Sequence, residues 1–299
     1  MWDYDGLIGK ARVYFERAEA VGKADDDAFA IWLLLGLEFL LRAPLSRVHP
    51  ALLADPNGDA ILHAVGYPGG SEGRDPKSIQ VTTVITRLRR IVEDFTSDRE
   101  NDATLLAALR NRELHSSEAA LASIEVALWL PRFTRVAEVI CSHLGLDPTD
   151  VVGEQVMKHG RALVDAEDKK LANEVRVRIA QATAFASGLT AEEKADRHTR
   201  SPFAPPWSTA KVACPGCAFD VALELETIRR TNERLEDGDI LTDVISVARK
   251  LRCPVCGLNL DSTAEISAAG LPQQHTSTES ESLADRYLSD FEPDDYGND

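Results

Sequence analysis

Cys214, Cys217, Cys253 and Cys256 form two Cys-x-x-Cys pairs, Cys-Pro-Gly-Cys and Cys-Pro-Val-Cys-Gly, 35 residues apart. A Cys-x-x-Cys turn presents two sulfurs to one ion, and four thiolates are a preferred tetrahedral set for structural zinc. The proline stiffens each turn, and Gly257 permits a tight backbone after the last cysteine. A redox dithiol or a disulfide would use the same residues, but in a reducing compartment paired cysteines serve more often as metal ligands. Four thiolates saturate the ion, so the expectation is one structural Zn2+ per chain and no catalytic metal. The fifth cysteine, Cys141, lies in the apolar run Val136–Leu144 and reads as an inert buried thiol.

A second group able to do chemistry is Leu109-Arg110-Asn111-Arg112-Glu113-Leu114-His115-Ser116. RNA can be cut without a metal when its 2′-OH attacks the adjacent phosphorus. That reaction needs a proton acceptor, a proton donor and a counter-charge for the phosphorane. Histidine near its ordinary pKa serves as acid or base. The fork of Arg110 matches phosphate oxygens, and Asn111 can orient either group. Residues five apart on a regular helix point about 140° from each other. The motif therefore works only if the helix starts or breaks within it, or if two copies meet. The competing reading pairs Arg110 and Arg112 with Glu113 or Glu118 and leaves His115 as a helix cap. Arg87 and Arg90, with Arg112, are candidate RNA contacts, and Arg89, Arg132 and Arg135 lie nearby in sequence.

These groups must be held by something, and the first 200 residues read as helices. Leu7, Ala11, Tyr14, Ala18 and Val21 repeat at helical spacing over 3–22. A second helix starts near Asp25–Asp27 and is apolar nearly all round through Leu41, ahead of breaks at Pro44, Pro50 and Pro56. A third starts at Ser78 and runs to Phe95, and a fourth is capped by Asn101 or Asp102. A further helical stretch runs from Glu118 to Leu144 with a bend at Pro131, and another from Asp165 to Ser187. Thr190-Ala-Glu-Glu offers a capping box for a short successor. The expected class is mainly α: a helical bundle over 1–200, a Pro-rich linker at 201–210, a cysteine unit at 211–262, and an acidic, disordered tail at 263–299.

An arginine, a polar residue and a histidine five places after the arginine, set in a helical bundle, resemble the HEPN-family ribonucleases over about residues 1–190. The resemblance implies a homodimer with both motifs facing one cleft, RNA as substrate, a toxin or antiviral-defence role, and Arg110, Asn111 and His115 as the catalytic group. The cysteine unit resembles a zinc ribbon over 211–260. It departs from the pattern in its long spacer, which must hold an extra hairpin or helix near Leu241–Leu251.

The net charge of −16 argues against nonspecific coating of nucleic acid. About half of it falls between Thr263 and Asp299, where nine acidic residues meet only Arg286. There Leu283, Tyr287, Leu288 and Phe291 would form an apolar stripe in a helix, able to dock on an inhibitory or activating protein partner, as could the ribbon. The longest apolar run, Phe29–Leu41, is interrupted by Gly36 and Glu38, and the N-terminus carries no signal pattern. The expectation is therefore a cytoplasmic protein without a membrane partner. The alternative function is a non-catalytic adaptor or regulator, with a helical dimerisation domain and a ribbon that binds nucleic acid or protein.

Overall fold

A computed structural model describes residues 2–22, 26–56, 59–67, 76–200 and 209–288. The chain is mainly helical with one sizeable antiparallel sheet, and it divides into two compact units, 1–166 and 167–299.

The first unit holds α1 (Tyr4–Val21), α2 (Asp27–Val48), a 3-10 turn (Pro50–Leu53), α3 (Ala60–Ala64), α4 (Val81–Ile91), α5 (Ser97–His115), α6 (Val126–Leu144), α7 (Pro148–Val152) and the start of α8 (Glu154–Ser187). Asp3 and Asp26 cap α1 and α2, their carboxylates accepting from Gly6 N and Ala28 N at 2.8 Å. Helix α2 is the centre of the bundle: Leu33, Leu34, Leu37, Leu40, Leu41 and Leu45 are all buried. Gly36 lets α1 approach closely, because a Cβ there would lie 2.4 Å from the Phe15 ring. By length and hydropathy α2 could cross a membrane, yet 67% of its apolar window is buried within the protein, as expected of a core helix.

Several expected boundaries move. Helix α2 continues through Pro44 to Val48 because Ala43, Pro44 and Leu45 are all buried in the core. Ser78 does not cap the third helix; it bridges Ala54, and α4 starts three residues later. Helix α5 starts at Ser97 rather than at Asn101 or Asp102, since buried Asp102 is committed to Arg99 and Arg132 at 3.0 and 2.7 Å. Residues 118–125 are turn and loop, α6 begins at Val126, and Pro131 lies inside it. Gly145 ends α6 in the left-handed conformation, φ 68°.

The second unit comprises the end of α8, α9 (Ala191–Thr199), β1 (Thr209–Ala213), β2 (Asp220–Glu236), β3 (Asp239–Arg252), β4 (Asn259–Leu260), α10 (Thr263–Ala268), β5 (Gln274–Ser282) and α11 (Leu283–Leu288). The Thr190–Glu193 capping box is present at the start of α9. The strands run antiparallel in the order β1-β2-β3-β4, with β5 on the first part of β3. The long spacer between the cysteine pairs is one hairpin. Its two-residue turn, Asp237-Gly238, has positive φ at both positions, 50° and 91°, which is what a right-twisted hairpin requires and what Asp-Gly supplies.

Two domain expectations are corrected here. The boundary falls within α8, not at residue 200, because Val175, Ala182 and Ala186 of α8 are buried against the sheet and its cysteines. The segment from Thr263, expected to be disordered, is built into this unit through Leu288: β5 pairs with β3 from Asp239↔Ser282 to Val247↔Gln274. The alternating Thr, Ser and Glu of β5 leave its backbone free to add to the sheet while its side chains stay hydrated. Residues 201–208 of the expected linker lie outside the described residues, as do Phe291 and the rest of the chain from Ser289.

Candidate functional site

The four cysteines sit on two matching turns, one between β1 and β2 and one between β3 and β4. In the first, Cys214 N donates to Phe219 O (2.9 Å) and Ala218 N to Cys214 O (2.8 Å). In the second, Cys253 N donates to Leu258 O and Gly257 N to Cys253 O, both at 2.9 Å. Ala218 and Gly257 occupy equivalent left-handed positions, φ 60° and 75°. Cys214 Sγ lies 3.5 Å from Cys256 Sγ, and Cys217 Sγ lies 3.5 Å from Cys253 Sγ. All four sulfurs lie within 4.8 Å of one another. A tetrahedral ion with metal–sulfur bonds of about 2.3 Å needs sulfurs about 3.8 Å apart, so the four cysteines can hold a metal such as zinc. Burial pushes the Cys256 thiol up to about 12, and Cys253 is pushed higher by its thiol neighbour Cys214 and by burial. Without a cation these buried thiols stay protonated. Gly216 brings the first turn against α8, where a Cβ would lie 3.0 Å from Ala182 Cβ and 3.2 Å from Cys256 Sγ.

No protein-family model, curated protein or solved structure matches this chain.

Arg110, Asn111 and His115 lie on the last turns of α5, which is unbroken from Ser97 to His115. Asn111 and His115, four apart, share an exposed face with Leu105, Ala108 and Arg112. Arg110 points elsewhere. Its guanidinium pairs with Glu38 of α2, and the Arg110 side chain is 13% exposed. Glu38 also pairs with buried Arg42 at 2.8 Å, and Arg42 reaches Ile79 O at 3.4 Å. Burial holds Arg42 below the usual arginine value, Glu38 opposes that, and Arg110 adds to it. One carboxylate thus stands between two guanidiniums. Arg112 is exposed and pairs with Glu118, while Glu113 accepts from Leu121 N at 2.9 Å and fixes the chain after α5.

The other arginines are placed variously. Arg87 is half-buried and donates to the Leu52 carbonyl, joining α4 to the 3-10 turn. Arg90 is exposed. Arg89 pairs with Glu100 (3.3 Å) and donates to Phe95 O (3.1 Å), and Arg132 belongs to the Asp102 group. Cys141 is fully buried in the first unit's core, and burial pushes its thiol up to about 12. The Glu38 partnership was missed in sequence because 72 positions separate the two residues. The signal on α2 was the charged pair Glu38 and Arg42, one turn apart in its apolar middle.

Proposed function

We propose that the protein is a metal-independent endoribonuclease of the HEPN type, acting on RNA as a cytoplasmic homodimer in a toxin or antiviral-defence setting. The supporting observation is the exposed face of α5 that presents Asn111 and His115 together, while Arg110, on another face of the same turns, is held by Glu38. On this unbroken helix Arg110 and His115 diverge by about 140°. One chain therefore offers an incomplete site, which is the geometric reason for invoking a second copy. In the dimer, one histidine takes the 2′-OH proton and the 2′-oxygen attacks phosphorus. Arginine offsets the phosphorane charge, and the other histidine protonates the departing 5′-oxygen. The products are a 2′,3′-cyclic phosphate and a 5′-hydroxyl. The four-cysteine site holds structural zinc that braces the second unit as a ribbon; its donor set and the sulfur spacing support zinc. A protein partner that restrains or triggers cleavage would bind this second unit.

One observation favours the adaptor alternative: Arg110 and Arg112 are both engaged by carboxylates, Glu38 and Glu118. The test is cleavage of total RNA and a tRNA pool, with EDTA, by wild type and His115→Ala. Cleavage by wild type alone, leaving cyclic phosphate ends, is expected. Equal cleavage by His115→Ala would sink the assignment.

A further inference from the structure

Where α1 meets α2, three aromatic rings stack in a row with a cation at each end. Lys10 Nζ lies 4.5 Å from the centroid of Phe39. Phe39 stacks on Tyr14, and Tyr14 on Trp32, each at 5.6 Å between centroids with planes 17° and 18° apart. Arg17 closes the row, its Cζ 4.9 Å from the Trp32 ring and 5.4 Å from Tyr14. The core between these helices is already filled by Leu7, Ala11, Phe15, Leu33 and Leu37. The three rings lie outside it and are half-buried, while Lys10 and Arg17 are exposed. Among the described residues neither Lys10 nor Arg17 makes an ion pair, although the chain as a whole carries −16.

We propose that this row is a binding surface for single-stranded nucleic acid. Aromatic side chains offer π-faces and edges to unpaired bases, and every base has a face to offer in return. The cations at the ends of the stack can be shared between the ring quadrupole and a phosphate. Lys10 and Arg17 at the two ends give the row two positive charges, which the phosphates of a strand lying along it would complement. The surface also has a direction. Phe39 lies on the α1 side of α2, and its neighbour Glu38 lies on the α5 side, in contact with Arg110. A strand that continues past Phe39 around α2 would reach the side that carries Arg110. That direction rests on the ribonuclease reading; the binding itself does not.

The experiment is fluorescence anisotropy of the full chain with a short labelled 2′-O-methyl RNA, which lacks the 2′-OH nucleophile and cannot be cut by the proposed chemistry. Lys10→Gln and Arg17→Gln, both at exposed positions, should each weaken binding several-fold. Each should also reduce the slope of log K against log salt by about 0.7. Trp32→Leu should weaken binding about tenfold with the salt slope unchanged, its fold checked by circular dichroism. No binding by wild type, equal binding of a duplex, or unchanged binding by the Lys10→Gln/Arg17→Gln double variant would overturn the proposal. So would unchanged binding with a loss of dimer by light scattering, which would make the row a seat for a second copy. Binding along the row together with equal RNA cleavage by wild type and His115→Ala would refute the ribonuclease reading and leave this one standing.

Discussion

Ala218 and Gly257 hold the same position in the two cysteine turns, and exchanging their residue types tests the backbone argument. Ala218 is exposed, so removing its methyl loses little packing, while its φ of 60° is left-handed. An L-residue in that region costs about 1–2 kcal/mol. Glycine gives back about 0.5–1 kcal/mol through its greater freedom in the unfolded chain. Ala218→Gly should therefore stabilise the second unit by about 0.5–1 kcal/mol, raising its Tm by roughly 2–4 °C. Gly257→Ala meets no atom within 4 Å of the new Cβ, so its cost is conformational alone, at φ 75°. It should lower stability by about the same amount. Calorimetric scans at fixed zinc concentration would read both changes, and zinc release to a colorimetric chelator would show whether the turn holds the ion less firmly. A lower Tm for Ala218→Gly, or no change for Gly257→Ala, would refute the claim that both turns need this conformation.

Two further outcomes follow from close contacts. Gly216→Val should loosen the four-cysteine site more than either exchange, because the side chain must displace Ala182 or Cys256 Sγ; faster zinc release at unchanged helicity of the first unit is the measurement. Glu38→Ala leaves Arg42, with only 9% of its side chain exposed, without its carboxylate. It should cost about 2–3 kcal/mol in urea unfolding, with Glu38→Gln milder because the amide oxygen can still accept from one of the two guanidiniums, which use separate oxygens of Glu38.

The acidic segment from Thr263 takes on a different meaning once β5 is placed. Deleting it would strip a strand from β3 and expose Ile240 and Val244, which are 5% and 2% exposed in the intact sheet. A truncation after Leu288 is the one that probes a docking role without damaging the second unit. The exposed partners of Arg286, Glu233 on β2 and Glu281 on β5 at 2.7 Å each, tie α11 to the same sheet.

By itself the sequence determined what depends on local spacing. Cys-x-x-Cys turns bring their two sulfurs together whatever surrounds them, and the left-handed Gly257 follows from the same turn. Helical periodicity placed α1, the apolar all-round pattern made α2 central, and Thr190-Ala-Glu-Glu placed its capping box, because each rests on residues within four positions of one another. Asp237-Gly238 was equally local and would have announced the hairpin. Only the tertiary structure decided the rest. Pro44 stays helical and Asp102 leaves the cap position because burial and two arginines outweigh local preference. Residues 274–282 are polar enough to read as disordered; they become a strand only because β3 offers an unpaired edge. Arg110 is turned toward Glu38 by the packing of α5 on α2, and no spacing along the chain encodes that meeting.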